Sequence, residues 1–213
     1  ASLDEFLIST GLSEGEQDSL RAMVVVTSPD PIGDSEALPQ KNRGSAGIYQ
    51  HYLQEMRNSG WSEDTISSID ESVRATARRM GMREPSSRPL YGMVIGRIQS
   101  GKTAHMIGLL LLSIDSNEND NPYDTVIVLS GLINDLRLQT RGRVQSSISS
   151  FTGIKPTISP DETTDLSSAD QNTLDTLAQD IQLDGKTSIV VIKKNHIVLG
   201  HLLSCLPSPR DAI

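Results

Sequence analysis

One glycine-rich segment, residues 96–103 with the sequence GRIQSGKT, carries the residue types and the spacing best suited to chemistry. The spacing fits G-x-x-x-x-G-K-[ST], a loop whose backbone N–H groups surround the phosphates of a nucleotide. The glycines let the main chain approach the anion closely, and the helix that must follow adds the positive end of its dipole. The segment therefore predicts a binding site for a nucleoside triphosphate, and we expect that ligand to be ATP.

The side chains of this loop have separate expected roles. We expect Lys102 to reach the β- and γ-phosphates and the Thr103 hydroxyl to bind Mg²⁺, so these two are the expected catalytic residues. Gln99 and Ser100 are expected to supply loop amides and contacts near the γ-phosphate. The full set of expected nucleotide-binding residues is Gly96, Gln99, Ser100, Gly101, Lys102 and Thr103.

Hydrophobic patterning divides the 213-residue chain into two parts. Residues 1–88 carry apolar side chains at helical spacing, Tyr49 and Met56 among them, and predict a small all-helical N-terminal region. Beyond this region, short apolar runs alternate with helical segments, which predicts a parallel sheet with right-handed crossovers and helices on both faces. We therefore expect an α/β core over residues 89–213, joined to the helical region by the proline-bearing stretch 81–89.

The predicted elements follow the period of the apolar side chains. Strands are predicted at 90–95, 125–129 and 188–192, and helices at 103–114, 134–149, 168–181 and after Asn195. Ser62 and Asn195 are predicted helix N-caps, because their side chains accept hydrogen bonds from first-turn N–H groups. Residues 151–165 are expected to be irregular. The inward-facing positions expected on the later helices are Leu136, Val144, Ile148, Ile197, Val198, Leu202 and Leu203.

Charge and cysteine content limit the classes of protein. The 27 acidic and 19 basic residues give a net charge of −8, which argues against a protein held on nucleic acid by charge alone and leaves a local basic groove open. The one cysteine, Cys205, cannot form an internal disulfide, so we expect a reducing, cytoplasmic location. No apolar run approaches the roughly 18 residues that span a bilayer, so we expect no membrane partner.

Three segments together resemble one known family. GRIQSGKT, VLSGLINDLRLQT and VVIKKNHIVL, which begin at Gly96, Val128 and Val190, are similar to the ATPase core of the Z-one domain family, described as endonucleases of bacterial restriction and defence loci. The two later segments also resemble those that follow the phosphate loop in superfamily-two helicases. The resemblance covers residues 89–205 and implies a RecA-like P-loop NTPase fold and a nucleic-acid-directed ATPase. It also implies DNA as a partner and an associated nuclease or other defence subunit.

The same resemblance implies which basic residues contact a nucleic-acid backbone. In helicases the turns that end these two segments' strands touch the backbone, and turns at the carboxyl ends of parallel strands are where ligands bind in α/β proteins. The implied phosphate contacts are Arg137, Arg143, Lys193 and Lys194. The alternative is that these four residues are ordinary solvated surface charges.

The sequence departs from the pattern of a working ATPase in one respect. Such an enzyme needs an acidic residue at the end of another strand, to hold Mg²⁺ and position the attacking water. Leu129 is followed by Ser-Gly and Ile192 by Lys-Lys, and Asp211 precedes any predicted strand. The family places its acidic Walker B strand after the third helix. We therefore expect these residues to be an N-terminal piece of a longer protein that hydrolyses ATP slowly or not at all by itself.

Two other functions use the same loop. A nucleotide or small-molecule kinase is one, although no arginine-rich lid is evident in the sequence. A non-enzymatic nucleotide-binding interaction module is the other, with the N-terminal helices docking a partner. A strand ending in an acidic motif beyond the third helix favours the ATPase over both alternatives.

Several further conspicuous residues are expected to be structural. We expect His105 to be packed, Cys205 to be a small core residue and Trp61 to anchor helix packing. His196 and His201 lack the i, i+4 spacing that places two metal ligands on one helix face.

Overall fold

The computed structural model describes residues 47–80, 93–94, 101–118, 122–182 and 187–206. Outside these ranges lie residues 1–46 of the expected helical region, the expected linker 81–89, most of the strand expected at 90–95, and residues 96–100, the first five of the loop. The described elements are α1 (Ile48–Asn58), α2 (Glu63–Arg79), α3 (Lys102–Ile114), β1 (Thr125–Ser130), α4 (Asn134–Ser147), β2 (Thr157–Ser159), a 3₁₀ helix (Leu166–Ser168), α5 (Gln171–Gln182), β3 (Ser188–Lys193) and α6 (His196–Cys205).

A parallel sheet organises the described part of the chain. Its strand order is β1-β3-β2, and both outer strands run parallel to β3. Val128 lies beside Val191, and Ile158 lies beside Ile189. The prediction of an α/β protein with a parallel sheet is confirmed. β3 reads as an unbroken apolar run because, as the central strand, it is buried along its whole length.

Helices cover both faces of this sheet. Ile189 and Val191 point into a core shared with α1, α2, α3 and α4. Val190 and Ile192 point into a second core shared with α5, α6 and the 3₁₀ helix. Successive strand residues face opposite sides, so one apolar run can serve both cores.

The described part of the helical region packs directly on α3. A methyl group at Gly108 of α3 would lie 3.1 Å from Val73 and 3.5 Å from Tyr49, so α1 and α2 approach closely where this helix has no side chain. The buried Asp115, which follows α3, accepts a hydrogen bond from the Tyr49 N–H at 2.9 Å. These helices and the sheet therefore share one core.

Both predicted N-caps are confirmed. The Ser62 hydroxyl accepts from the Thr65 N–H at the start of α2. The Asn195 side chain accepts from the N–H groups of Ile197 and Val198 at the start of α6. Both contacts satisfy N–H groups that a helix cannot bond internally, and they determine where α2 and α6 begin. None of the described helices is long and apolar enough to cross a bilayer.

The structure corrects three expectations about the later elements. Residues 157–159, expected to be irregular, form β2. Leu136 is 44% exposed, whereas Val144 and Ile148 are buried as predicted. On α6, Ile197 and Leu203 are exposed, and only Val198 and Leu202 of the four expected positions are buried.

Candidate functional site

A groove of about 700 Å³ lies beside the N-terminal end of α3. Lys102 and Thr103 line it from α3, Gln139 and Arg143 line it from α4, and Trp61 lines it from the connection between α1 and α2. Its volume falls within the range of roughly 300–1,000 Å³ that is usual for small-molecule sites. The end of the glycine-rich motif thus borders an open space large enough for a ligand.

Gly101 shapes the entrance to α3. It is the N-cap residue and has φ of 77° and ψ of 14°, a left-handed conformation that favours glycine. Its carbonyl oxygen accepts the N–H of His105 at 2.8 Å, which starts the helical hydrogen bonding. Because glycine has no side chain to cap the helix, the positive end of α3 is directed to the groove without a capping oxygen from this residue.

The charged side chains among the described residues that line the groove are basic. Lys102 and Arg143 are both exposed, and Nη1 of Arg143 lies 3.5 Å from the Thr103 hydroxyl oxygen. No carboxylate occurs among the described residues that line the groove. The groove is therefore electropositive in a chain whose net charge is −8, and it suits an anion.

Thr103 is the expected magnesium ligand at this groove. Within the described ranges, no group of at least three His, Cys, Asp or Glu side chains is placed to hold a metal ion. Thr103 offers one hydroxyl oxygen, which Arg143 approaches. Because Mg²⁺ is commonly bound through few protein ligands together with substrate phosphates and water, Thr103 is suited to be one such ligand.

Two of the four basic residues assigned to nucleic acid are turned inward. Arg137 is 2% exposed, and its guanidinium donates to Oδ1 of Asn134 at 2.9 Å and to the carbonyl oxygens of Asp161 and Glu162 at 3.1 Å. Burial lowers the pKa of Arg137 from its ordinary value. This guanidinium holds α4 to the segment after β2. Arg137 is therefore neither placed for the expected phosphate contact nor a solvated surface charge, which was the alternative.

Lys193 has a similar structural position. It is the last residue of β3, it is buried, and its ammonium group donates to Asp165 at 2.8 Å and to Ser167 at 2.6 Å. The side chain therefore ties the central strand to the 3₁₀ helix rather than facing an external phosphate. By contrast, Arg143 and Lys194 are exposed.

Arg141 is a buried residue that the sequence analysis did not identify. Its guanidinium donates to the carbonyl oxygens of Pro160 and Ile158, at 3.0 and 3.3 Å, and to the carboxylate of Glu162 at 3.2 Å. The signal was its spacing: it lies one turn after Arg137 and one turn before Val144, on the buried stripe of α4.

The other conspicuous residues divide into packed and exposed groups. His105 is buried and its Nε2 lies 3.2 Å from the Thr76 hydroxyl, as expected of a packed histidine, and burial lowers its pKa. Cys205 is buried as a core residue, and burial raises the pKa of its thiol. Trp61 does not behave as a buried anchor, because it is 41% exposed and lines the groove.

A second cavity, of about 440 Å³, lies between α3 and β1. Met80, Met106, Tyr123 and Leu129 are among its lining residues, and no charged side chain occurs among those that the structure describes there. The described lining of this cavity is mostly apolar, and its polar side chains are the hydroxyls of Ser113, Tyr123 and Thr125.

Comparison with protein-family models, with curated proteins and with solved structures found no match. The class of the protein is therefore defined by its own fold and groove. It is an α/β protein with a parallel sheet of β1, β3 and β2 and with an electropositive groove at the N-terminal end of α3.

Proposed function

We propose that this chain binds ATP, with the triphosphate held by the glycine-rich loop and the N-terminal end of α3. One observation carries the proposal: the Gly-Lys-Thr end of the motif starts a helix at a left-handed glycine and borders a basic groove of ligand size. A sequence match alone does not require this arrangement. The motif needs a strand before the loop and a helix that starts at its Gly-Lys-Thr end, and the helix start is the part of this requirement that supports the proposal.

The physical basis of the proposed binding is electrostatic. An anion at a helix N-terminus gains about 0.3–1 kcal/mol, and up to about 2 kcal/mol where the site is partly buried. Hydrogen bonds to charged groups contribute about 1.5–3 kcal/mol each, and Lys102 and Arg143 are both able to donate them. Association also costs several kcal/mol of translational and rotational freedom, so these contributions give the direction of the preference for an anion and not an affinity.

In the proposed mechanism each residue has a limited task. Lys102 neutralises phosphate charge, and Thr103 orients the Mg²⁺ that arrives with the nucleotide. No carboxylate is found among the described lining residues to position an attacking water. Binding is therefore the primary activity that the groove supports, and hydrolysis needs an acidic group from outside this set of residues.

We further propose that nucleotide binding serves a helicase-like ATPase directed to nucleic acid and associated with an endonuclease or defence system. The support is the resemblance of three segments and one feature of the sheet. β1 and β3 end in register at Ser130 and Lys193, and the Lys194 N–H lies 3.4 Å from the Gly131 carbonyl oxygen. The turns of the two later segments thus meet at the carboxyl edge of the sheet, where ligands bind in α/β proteins.

The test of ATP binding is calorimetric titration of the 213-residue chain with ATP and Mg²⁺. Lys102→Ala is expected to weaken binding by at least about tenfold, the equivalent of one charge-assisted hydrogen bond. Lys155→Ala is the matched control, because Lys155 is exposed and does not line the groove. Equal affinity of wild type and Lys102→Ala contradicts the proposal.

Measuring phosphate release with and without DNA distinguishes the classes of function. Stimulation by DNA supports the nucleic-acid-directed ATPase. Phosphoryl transfer to an added acceptor supports a kinase, and binding without turnover in the intact protein supports a nucleotide-binding interaction module.

A further inference from the structure

We propose that the indole ring of Trp61 stacks on the base of the bound nucleotide, so that the groove recognises the nucleoside as well as its phosphates. This inference rests on the proposed nucleotide site. Trp61 comes from the connection between α1 and α2, far from the phosphate loop in sequence, and it lines the same groove as Lys102 and Thr103.

The backbone around Trp61 is firmly held. Its N–H donates to the Met56 carbonyl oxygen at 3.1 Å, and Gly60 precedes it with φ of 84°. Ser62 follows it as the N-cap of α2. The tryptophan therefore occupies a corner between two helices whose inner faces are buried, and its position is defined by these helices.

Trp61 nevertheless remains 41% exposed. Tryptophan is the side chain with the most apolar surface to bury, so leaving its ring in water forgoes stabilisation that inward packing provides. A rigidly mounted, partly exposed aromatic ring is what base stacking requires, since every nucleic-acid base offers a π-face.

The other aromatic residue of the groove does not have this open surface. Tyr52 is 6% exposed and its hydroxyl donates to the Ala104 carbonyl oxygen at 3.1 Å, so it forms part of the fixed wall. Ile107 is also buried in that wall. Among the described lining residues, Trp61 is thus the aromatic side chain available for stacking.

The combination of groups selects one ligand chemistry. Inorganic phosphate would use Lys102 and Arg143 and leave the exposed face of Trp61 in water. An apolar ligand would cover Trp61 and make no use of the charges of Lys102 and Arg143. A nucleoside polyphosphate uses both, because it joins a flat ring system to a charged chain, and the groove of about 700 Å³ is of the size that such ligands occupy.

Tryptophan fluorescence tests the inference directly. Trp61 is the one tryptophan of the chain, so emission reports on this position alone. We expect ATP to change the emission of the 213-residue chain. Tripolyphosphate, which carries no base, is expected to bind by calorimetry without the same change.

Variants give a second, independent measurement. Trp61→Ala is expected to weaken ATP binding about tenfold and to leave tripolyphosphate binding unchanged, because base stacking contributes on this scale. Trp61→Phe, which keeps an aromatic ring, is expected to retain most of the affinity. Tyr123→Ala is the matched control, since Tyr123 is 42% exposed and lines the other cavity.

The outcomes separate this inference from the proposed function. ATP binding that depends on Lys102, with unchanged Trp61 emission and unchanged affinity in Trp61→Ala, overturns the stacking and leaves the nucleotide site standing. If wild type binds neither ATP nor tripolyphosphate, both the nucleotide site and the stacking are overturned. If Trp61→Ala does not fold, two other measurements test the stacking. A change of wild-type emission with ATP and a retained ATP affinity of Trp61→Phe support it, and an unchanged emission contradicts it.

Discussion

The ammonium nitrogen of Lys193 lies within 2.8 Å of both carboxylate oxygens of Asp165. The lysine side chain is 9% exposed, whereas that of the aspartate is 39% exposed. A buried ammonium group is costly unless it is paired and hydrogen-bonded, and here Ser167 provides a further acceptor at 2.6 Å. The pair explains how a lysine can end a strand that is buried along its whole length.

Asp165→Asn is expected to lower the free energy of unfolding by about 1–2 kcal/mol at neutral pH, after allowance for the exposure of the carboxylate. The reason is that the change leaves Lys193 buried without a counter-charge. Hydrogen bonds from Lys193 and Ser167 hold the pKa of Asp165 well below its ordinary value. A lowered folded-state pKa gives stabilisation that is present above the unfolded pKa, about 3.9, and is lost as pH falls through the folded pKa.

Urea denaturation over a range of pH measures this effect. The stability difference between wild type and Asp165→Asn is expected to narrow as pH falls below about 4. Glu71→Gln is the control, because Glu71 is exposed on α2. A difference that is independent of pH contradicts the ion pair as its source.

Arg137→Ala is expected to destabilise the protein by about 2 kcal/mol, because the guanidinium is buried and donates to acceptors on the segment after β2. Lys194→Ala, which removes an exposed charge, is expected to change stability by less than about 0.5 kcal/mol. Both values are measured by urea denaturation. Equal stability of the two variants contradicts the structural role of Arg137.

The helices and the longer strands could be predicted because their signals are local. α3, β1 and β3 begin and end within a residue of their predicted bounds, since the apolar period changes sharply at each of them. β2 could not be predicted, because its three residues lie in a polar stretch and pair with β3 residues that come 31 positions later, such as Ser188 opposite Thr157. The burial of the Arg137 side chain could not be predicted for the same reason, because it donates to the backbone carbonyls of Asp161 and Glu162, which are distant in sequence.

Only part of the candidate site could be predicted in the same way. The motif predicted Lys102 and Thr103 at the start of a helix, which the structure has. Trp61 reaches the groove from the connection between α1 and α2, and Arg143 reaches it from α4. These elements lie on either side of the motif in sequence, so the proximity of the two residues depends on tertiary packing. The hydrophobicity of tryptophan predicts a position in the core. Trp61 is partly exposed because of the way α1 and α2 pack, which the local sequence does not show.

Arg143→Ala is expected to weaken ATP binding by about three- to tenfold without changing stability, because the side chain is exposed and its charge faces the groove. Arg143→Lys keeps the charge and is expected to retain part of the affinity. Calorimetry at low and at physiological salt checks the cause, since an electrostatic contribution shrinks with screening. Arg78→Ala, an exposed arginine of α2, is the control.

Gly101→Ala is expected to lower the free energy of unfolding by about 1 kcal/mol, the usual cost of a left-handed conformation for a residue with a Cβ. Among the described residues the added methyl group meets no clash, because its nearest neighbour would be Ile69 at 3.4 Å, an ordinary contact. The cost comes from the φ of 77° at the N-cap of α3. Thermal or urea denaturation of the variant measures it.

Gly142→Ala is the matched control, because Gly142 lines the same groove but lies within α4. Among the described residues, no atom stands within 4 Å of the methyl group it would gain. Alanine is favoured over glycine inside a helix by about 0.5–1 kcal/mol. The two glycine-to-alanine changes are therefore expected to have opposite signs. A stabilising effect of Gly101→Ala would mean that α3 does not begin at a left-handed residue, and it would remove the helix start on which the nucleotide site depends.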